Sequence, residues 1–400
     1  MLEKSAWQYK IMKDICSVNQ GFQIDIEKRD KHKRKNNKIY ITIQHLNGVG
    51  DDEYINDKDH NDSVVCTPDD VLMTRTGNTG RVVTGVSGVF HNNFFRINFD
   101  RTKINKDYLV YYLNQKNIQK LILEKAGTST IPDLNHGDFY SIPFNYPDDI
   151  NEQSAIANSL NNIDKLIYSL QGLIDKKNRM FDSAKQELLN GKYKNGEWRK
   201  VKIGDIGYFD GNGVDKKVNK NERKVRLLNY MDIMHNNFIY DNLSKHFVTA
   251  SENKYNKCLV KAGDIFLTPS SETRKDIGIS AVAFEDSDDL VYSYHIVRFR
   301  PTIDMDMKFR VYLFQNKKFL NQASKYCEGS GKRYVCSNKK FASFELEIPV
   351  DIQEQAEIGR ILYNMESEIK SLECKLQKYK EIKNGMMDDL LTGKVRLSYE

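Results

Sequence analysis

Two stretches of this chain gather guanidinium, hydroxyl and other polar groups, the first with glycines and a carboxamide among them, a combination suited to reading nucleic-acid base edges from rigid loops. The first is Arg75-Thr76-Gly77-Asn78-Thr79-Gly80-Arg81, with Thr128-Ser129-Thr130 further along. The second is Ser270-Ser271-Glu272-Thr273-Arg274-Lys275, with Ser330-Gly331-Lys332-Arg333-Tyr334 further along. The candidate contacts are Arg75, Thr76, Asn78, Arg81, Thr128 and Ser129 in the first set. In the second they are Ser270, Ser271, Arg274, Lys275, Lys332, Arg333 and Tyr334. Positive charge accompanies each set. Lys28-Arg29-Asp30-Lys31-His32-Lys33-Arg34-Lys35 holds one acid among many bases, and Lys31, Lys33, Arg34 and Lys35 are its candidate phosphate contacts. Lys216 and Lys217 open the comparable run, which continues through Lys220, Arg223, Lys224 and Arg226. Such cations give salt-dependent affinity for a polyanion. One basic run alone reads equally well as a solvated loop, and one polar loop alone reads more readily as a plain turn. Their recurrence in the same order gives them weight.

Catalytic signatures are missing from the same sequence. There is no GxxxxGK[ST] phosphate loop; Gly329-Ser330-Gly331-Lys332 is followed by Arg333 and lacks the upstream glycine. There is no HExxH and no clustered metal set, so no metal is expected. An adenine methyltransferase needs an Asn/Asp-Pro-Pro-aromatic stretch, and the 7 prolines include no adjacent pair. Nuclease chemistry asks for paired carboxylates and a lysine around a metal, and no motif supplies them. The six cysteines are scattered without a CxxC pair, which predicts reduced, mostly buried thiols. No apolar signal core or membrane-length apolar run occurs, so no membrane association and a cytoplasmic location are expected. A net charge of +6 favours a polyanionic partner only weakly.

The elements that position these groups are duplicated. Gly127–Lys192 aligns without a gap on Gly329–Lys394, at an offset of 202, with 19 identities in 66 pairs. Composition alone gives roughly four. That period is far beyond the roughly 20–50 residues of a solenoid repeat, so whole domains are repeated. Within it lie two seams of alternating four- and three-residue spacing. The first runs through Ile156, Leu160, Ile163, Ile167, Leu170 and Ile174, the second through Ile358, Leu362, Met365, Ile369, Leu372 and Leu376. Sustained heptads predict two long helices that bury these seams against each other. Lys177 and Lys383 interrupt them. Each helix opens after Asp-Ile-x-Glu-Gln and stops at Gly191 or Gly393. The flanking segments carry short β-branched and aromatic runs, such as Lys38–Ile43, Val71–Thr74 and Asn93–Phe99, then Lys224–Leu228, Asp264–Thr268 and Val291–Arg300. Helical spacing marks Tyr108–Asn114 and Phe309–Gln315. The fold class is α+β: a mixed α/β domain over 1–150, a long helix over 151–195, a second mixed domain over 196–350, and a second long helix over 351–400.

The order of these motifs resembles the DNA-specificity subunits of type I restriction-modification systems. The resemblance rests on Trp198-Arg199…Gly204-Asp205-Ile206 opening a domain, and on Gly127-Thr128-Ser129-Thr130-Ile131-Pro132-Asp133-Leu134-Asn135…Phe139 near a domain's end. It continues with Pro147…Glu152-Gln153…Ile156, and with Leu188-Leu189-Asn190-Gly191-Lys192 repeated as Leu390-Leu391-Thr392-Gly393-Lys394. It covers essentially the whole chain. The second copy departs from the Gly-Thr-Ser-x-x-Pro pattern, with Gly329-Ser330-Gly331-Lys332-Arg333-Tyr334 in its place. The resemblance implies two target recognition domains, each reading half of a split site in double-stranded DNA. An antiparallel coiled coil of the two helices, related by a pseudo-two-fold, would set the unread gap and dock two methyltransferase subunits. It implies no catalysis and no cofactor in this chain. S-adenosylmethionine, ATP and Mg belong to the methyltransferase and to the restriction/translocase subunits. The alternatives are a specificity subunit of a methylation-only system, a coiled-coil protein-interaction scaffold, and an enzyme in its own right.

Overall fold

The computed structural model describes residues 6–127, 130, 132–192 and 195–397. The chain divides into one unit of Met1–Gln171 with Lys375–Glu400 and another of Gly172–Cys374.

In the first unit Trp7–Ile11 pairs antiparallel with Pro143–Pro147, so the domain's start is sewn to its end. Between them lie two four-stranded sheets. One orders Cys16–Gln20, Phe94–Phe99, Val71–Thr74 and Val82–Val83. The other orders Tyr54–Asn56, Asn37–Ile41, Gly88–Phe90 and Val65–Cys66. Val71–Thr74 is buried along its whole length because alternate side chains leave opposite faces of a strand. Val71 and Met73 enter a core with Phe95, Ile97, Tyr108 and Phe144, while Leu72 enters another with Tyr40, Val89 and Phe90.

The second unit repeats the plan. Trp198–Lys202 pairs with Glu345–Pro349. A five-stranded sheet contains Ile265–Leu267, whose Ile265 and Leu267 enter one core and Phe266 another. A three-stranded sheet orders Phe247–Ala250, Arg223–Leu228 and Leu290–Tyr292. The apolar run at Val291–Arg300, expected as one strand, is two. Leu290–Tyr292 and Val297–Pro301 belong to different sheets, and the Ser293 side chain accepts the His295 N–H at 3.3 Å in the turn between them.

The long helices span Ile150–Leu189 and Ile352–Leu390. Both start before the Glu-Gln pair because an aspartate caps them. Asp149 accepts the Asn151 N–H at 2.8 Å and Asp351 the Gln353 N–H at 2.9 Å. The repeated glutamine then faces inward. Gln153 donates to the Pro147 carbonyl at 3.0 Å and accepts the Asn105 N–H at 2.8 Å. Gln355 does the same with Pro349 at 3.0 Å and Asp306 at 3.2 Å. Buried carbonyl and N–H groups need partners, so this side chain fixes each helix to its domain.

The helix seams serve more than each other. In the first unit Ile156 and Leu160 share the domain core with Met387, Leu390 and Leu391 of the second helix. In the second unit Ile358, Leu362 and Ile369 share a core with Phe181 and Leu189 of the first helix. In both units the start of one helix meets the end of the other, so the pairing is antiparallel. Leu170, Ile174 and Leu376 are buried; Ile163, Ile167, Met365 and Leu372 are half-buried.

Candidate nucleic-acid interface

In the second domain the two polar loops are joined, and in the first the Arg75–Arg81 loop is joined to Pro132 and Asp133. In the first, Thr76 bridges Asp133, and the Thr79 hydroxyl donates to the Pro132 carbonyl at 2.7 Å. Arg75 donates to the Asp133 carboxylate at 2.8 Å with its guanidinium 5.5 Å from the Phe95 ring centre. Arg81 donates to the Asn47 side chain at 2.7 Å. In the second, Ser270 pairs with Val335 and Ser271 with Tyr334. Arg333 donates to the Ser270 hydroxyl at 2.7 Å. Arg274 lies 4.5 Å over the Tyr334 ring and donates to the Cys327 carbonyl at 3.2 Å. These four arginines thus hold the loops in shape, while Asn78, Lys275 and Lys332 are exposed. Thr128 and Ser129 lie outside the described residues.

Beside each loop junction the domains share a frame that their sequences do not advertise. Each has a parallel strand pair, Asn37–Ile41 with Gly88–Phe90 and Arg223–Leu228 with Leu290–Tyr292. At its carboxyl end the His91 N–H donates to the Ile41 carbonyl at 3.0 Å, and the Ser293 N–H to the Leu228 carbonyl at 3.0 Å. The chain then turns the same way. The Asn93 N–H donates to His91 Nδ1 at 3.1 Å, as the His295 N–H donates to Ser293 Oγ. A glycine packs under each turn. A Cβ at Gly21 would sit 2.2 Å from the His91 oxygen, and one at Gly213 would sit 2.4 Å from the Ser293 oxygen. The first strand of each pair leads into a short helix, Ile43–Leu46 or Tyr230–His235.

The frame encloses an open cleft of about 510 Å³ in each domain. Thr42, Gln44, His45, His91 and Asn93 line the first, with Arg29 and Glu53. Tyr230, Met231, Met234, Ser271, Thr273 and His295 line the second, with Lys332 and Arg333. Parallel sheets place ligands at the carboxyl ends of their strands, where these clefts lie. Gln44, Asn93, Met231 and His295 were missed by sequence reading. No motif in the sequence marks these four residues.

Each cleft holds cations and acids together, Arg29 with Asp51 and Glu53 in the first, and Lys332 and Arg333 with Glu272 and Asp276 in the second. Burial holds the His91 imidazole below its ordinary pKa of 6.5, and the nearby Arg29 guanidinium lowers it further. Burial also lowers His295, with Lys216 and Arg333 adding to the effect. In the first domain Arg29 turns inward, 2.9 Å from Glu53 and 5.0 Å over the Tyr40 ring. Lys31, Lys33, Arg34, Lys35, Lys216 and Lys217 are exposed. Among the described residues no group of three or more His, Cys, Asp or Glu side chains could hold a metal ion. Burial pushes the Cys66 thiol up to about 11 and the Cys16 and Cys336 thiols to about 12, which suppresses the nucleophilic thiolate. No helix among the described residues is long and apolar enough to cross a membrane.

Comparison with known proteins matches this architecture. The family model for the type I restriction modification DNA specificity domain matches twice, over residues 4–178 and 195–384. The chain is 23% identical over 362 residues to the type I restriction enzyme MjaVIII specificity subunit of Methanocaldococcus jannaschii, covering 84% of this chain and 81% of that protein. The crystal structure of a type I restriction-modification S subunit from M. genitalium superimposes with a TM-score of 0.59 at 14% identity, covering 100% of this chain and 98% of that one. A chain from a structural study of complex assembly and conformational transition of the type I restriction-modification system gives a TM-score of 0.56 at 12% identity, covering 96% and 97%. Both carry the same fold. With two matched domains spanning most of its length, the chain belongs to the type I restriction modification DNA specificity family.

Proposed function

We propose that the chain is the non-catalytic DNA-reading subunit of a type I restriction-modification complex, with each domain reading one half of a bipartite site. The two long helices set the unread spacer and dock two methyltransferase subunits. Adenine methylation with S-adenosylmethionine, and Mg- and ATP-dependent cleavage by restriction/translocase subunits, are then the work of partners in the cytoplasm. One observation carries the reading: a backbone frame repeated bond for bond, with different side chains lining its cleft in each copy. Duplicated enzymes keep their reactive groups alike, whereas two readers of different half-sites must differ where they read. Exposed lysines and arginines near the start of both domains supply phosphate contacts. The test is a methylome. The chain is expressed with the methyltransferase encoded beside it in a host free of adenine methylation, and modified adenines are mapped. A split motif with a fixed gap, lost when this chain is omitted, is the expected result. An assembled, competent complex whose methylation does not depend on this chain would favour a scaffold role instead.

A further inference from the structure

We infer that base discrimination is set at one cleft per domain, with Gln44 and Asn93 reading in the first domain and Met231 and His295 in the equivalent positions of the second. The inference rests on the DNA-reading function proposed above and names where that reading occurs. Gln44 and Met231 are each the second residue of the short helix that follows the first parallel strand. Asn93 and His295 are each the third residue after its parallel partner. Asn93 and His295 follow the same turn, each donating its N–H to the side chain two residues earlier, while Gln44 and Met231 hold the same place in helices of 4 and 6 residues.

Several neighbouring polar side chains of the first cleft are occupied, while Asp51 at its rim is exposed. Arg29 is bonded to Glu53, His45 lies 2.9 Å from Asp52, and Arg75 is held by Asp133. Gln44 is exposed and Asn93 half-exposed, and neither carboxamide has an internal hydrogen-bond partner among the described residues. A free carboxamide matches the N6 donor and N7 acceptor of adenine in the major groove. The second cleft offers different chemistry. Met231 is 55% exposed, an apolar surface suited to a thymine methyl group. The exposed Lys332 ammonium suits the acceptors of guanine. His295 adds one ring donor and one acceptor, with its ring centre 3.9 Å from that of Tyr294 and tilted 37° to it.

The experiment maps methylation by the whole complex carrying Gln44→Ala with Asn93→Ala, or Met231→Ala with His295→Ala. The first variant is expected to relax an A·T position in one half-site only, by about 5- to 150-fold, the discrimination a bidentate base contact carries. The second is expected to relax the other half-site only. Gln44→Glu, which leaves only acceptors, is expected to shift the affected position toward cytosine. Unchanged half-sites in folded, assembled variants would overturn the cleft assignment and leave the reading function standing. A wild-type complex with no chain-dependent split motif would overturn the reading function itself. Where a variant methylates nothing, selection from a randomised duplex library by the purified complex decides. Loss of preference in one half-site supports the assignment, and loss in both refutes it.

Discussion

His91 is held neutral by its surroundings. Its Nδ1 accepts the Asn93 N–H at 3.1 Å, so the imidazole must keep that lone pair for the turn to persist. Burial and the Arg29 charge hold its folded-state pKa below the ordinary 6.5. The sign follows. Well above pH 6.5 neither folded nor unfolded chain protonates this ring, and its full contribution to stability is present. As pH falls below that value the unfolded chain takes up a proton that the folded chain resists, and stability drops. His91→Ser, which installs the acceptor found at Ser293 in the other copy, is expected to flatten the fall in urea midpoint between pH 7 and 5. An unchanged slope would show that His91 does not carry it. The side chains beside this turn mark the limit of sequence reading. Arg75 and Arg81 stood out because arginine and glycine form a recognisable cluster, yet both are spent inside the fold. Gln44 and Asn93 carry no pattern of their own. They gain meaning only when strands distant in sequence end side by side.

The long helices were far more legible, because a 4-3 spacing sustained over several heptads has one structural solution. The two lysines that break the seam also resolve once the helices are seen together. Lys177 lies 2.7 Å from Glu368 within one unit, and Lys383 lies 2.7 Å from Asp164 within the other. Each interruption is thus an ion pair to the opposite helix, a device that fixes register. Lys383 also sits 5.6 Å over the Tyr111 ring, whose hydroxyl lies 2.8 Å from Asp164. At the position 202 residues earlier, Phe181 packs edge-on against Tyr312, whose hydroxyl donates to Glu366 at 2.9 Å. A double-mutant cycle on Lys383→Ala and Asp164→Ala, read by chemical unfolding, is expected to give a coupling of about 0.5–1 kcal/mol for this half-exposed pair. Molar salt should shrink it. A coupling of zero would leave register to the apolar seam alone. Strand boundaries were less legible. The Val291–Arg300 run hid its turn because Tyr294 and Ile296 read as strand residues while Ser293 quietly caps the bend.

At the scale of the whole molecule, each long helix is one continuous element of 40 or 39 residues that contributes to both units. On the proposed function, the length of these helices sets the spacing of two DNA readers. Length can be changed while the seam is kept. Removing one heptad from each helix, at positions that face each other, preserves the apolar stripe, since a heptad returns to nearly the same face. It shortens each helix by about 10 Å at 1.5 Å per residue. The domains, their clefts and the capping aspartates are untouched, so both half-sites should be read as before. The unread gap is expected to shrink, by at most about three base pairs, given roughly 34 Å per turn of DNA. The readout is the methylome of the shortened chain, with its unfolding midpoint measured alongside to establish that the helices still form. The two domains and the helices then report separately. Altered half-sites would mean that the helices shape the readers. Intact half-sites with an unchanged gap would mean that the methyltransferase subunits, and not these helices, set the distance.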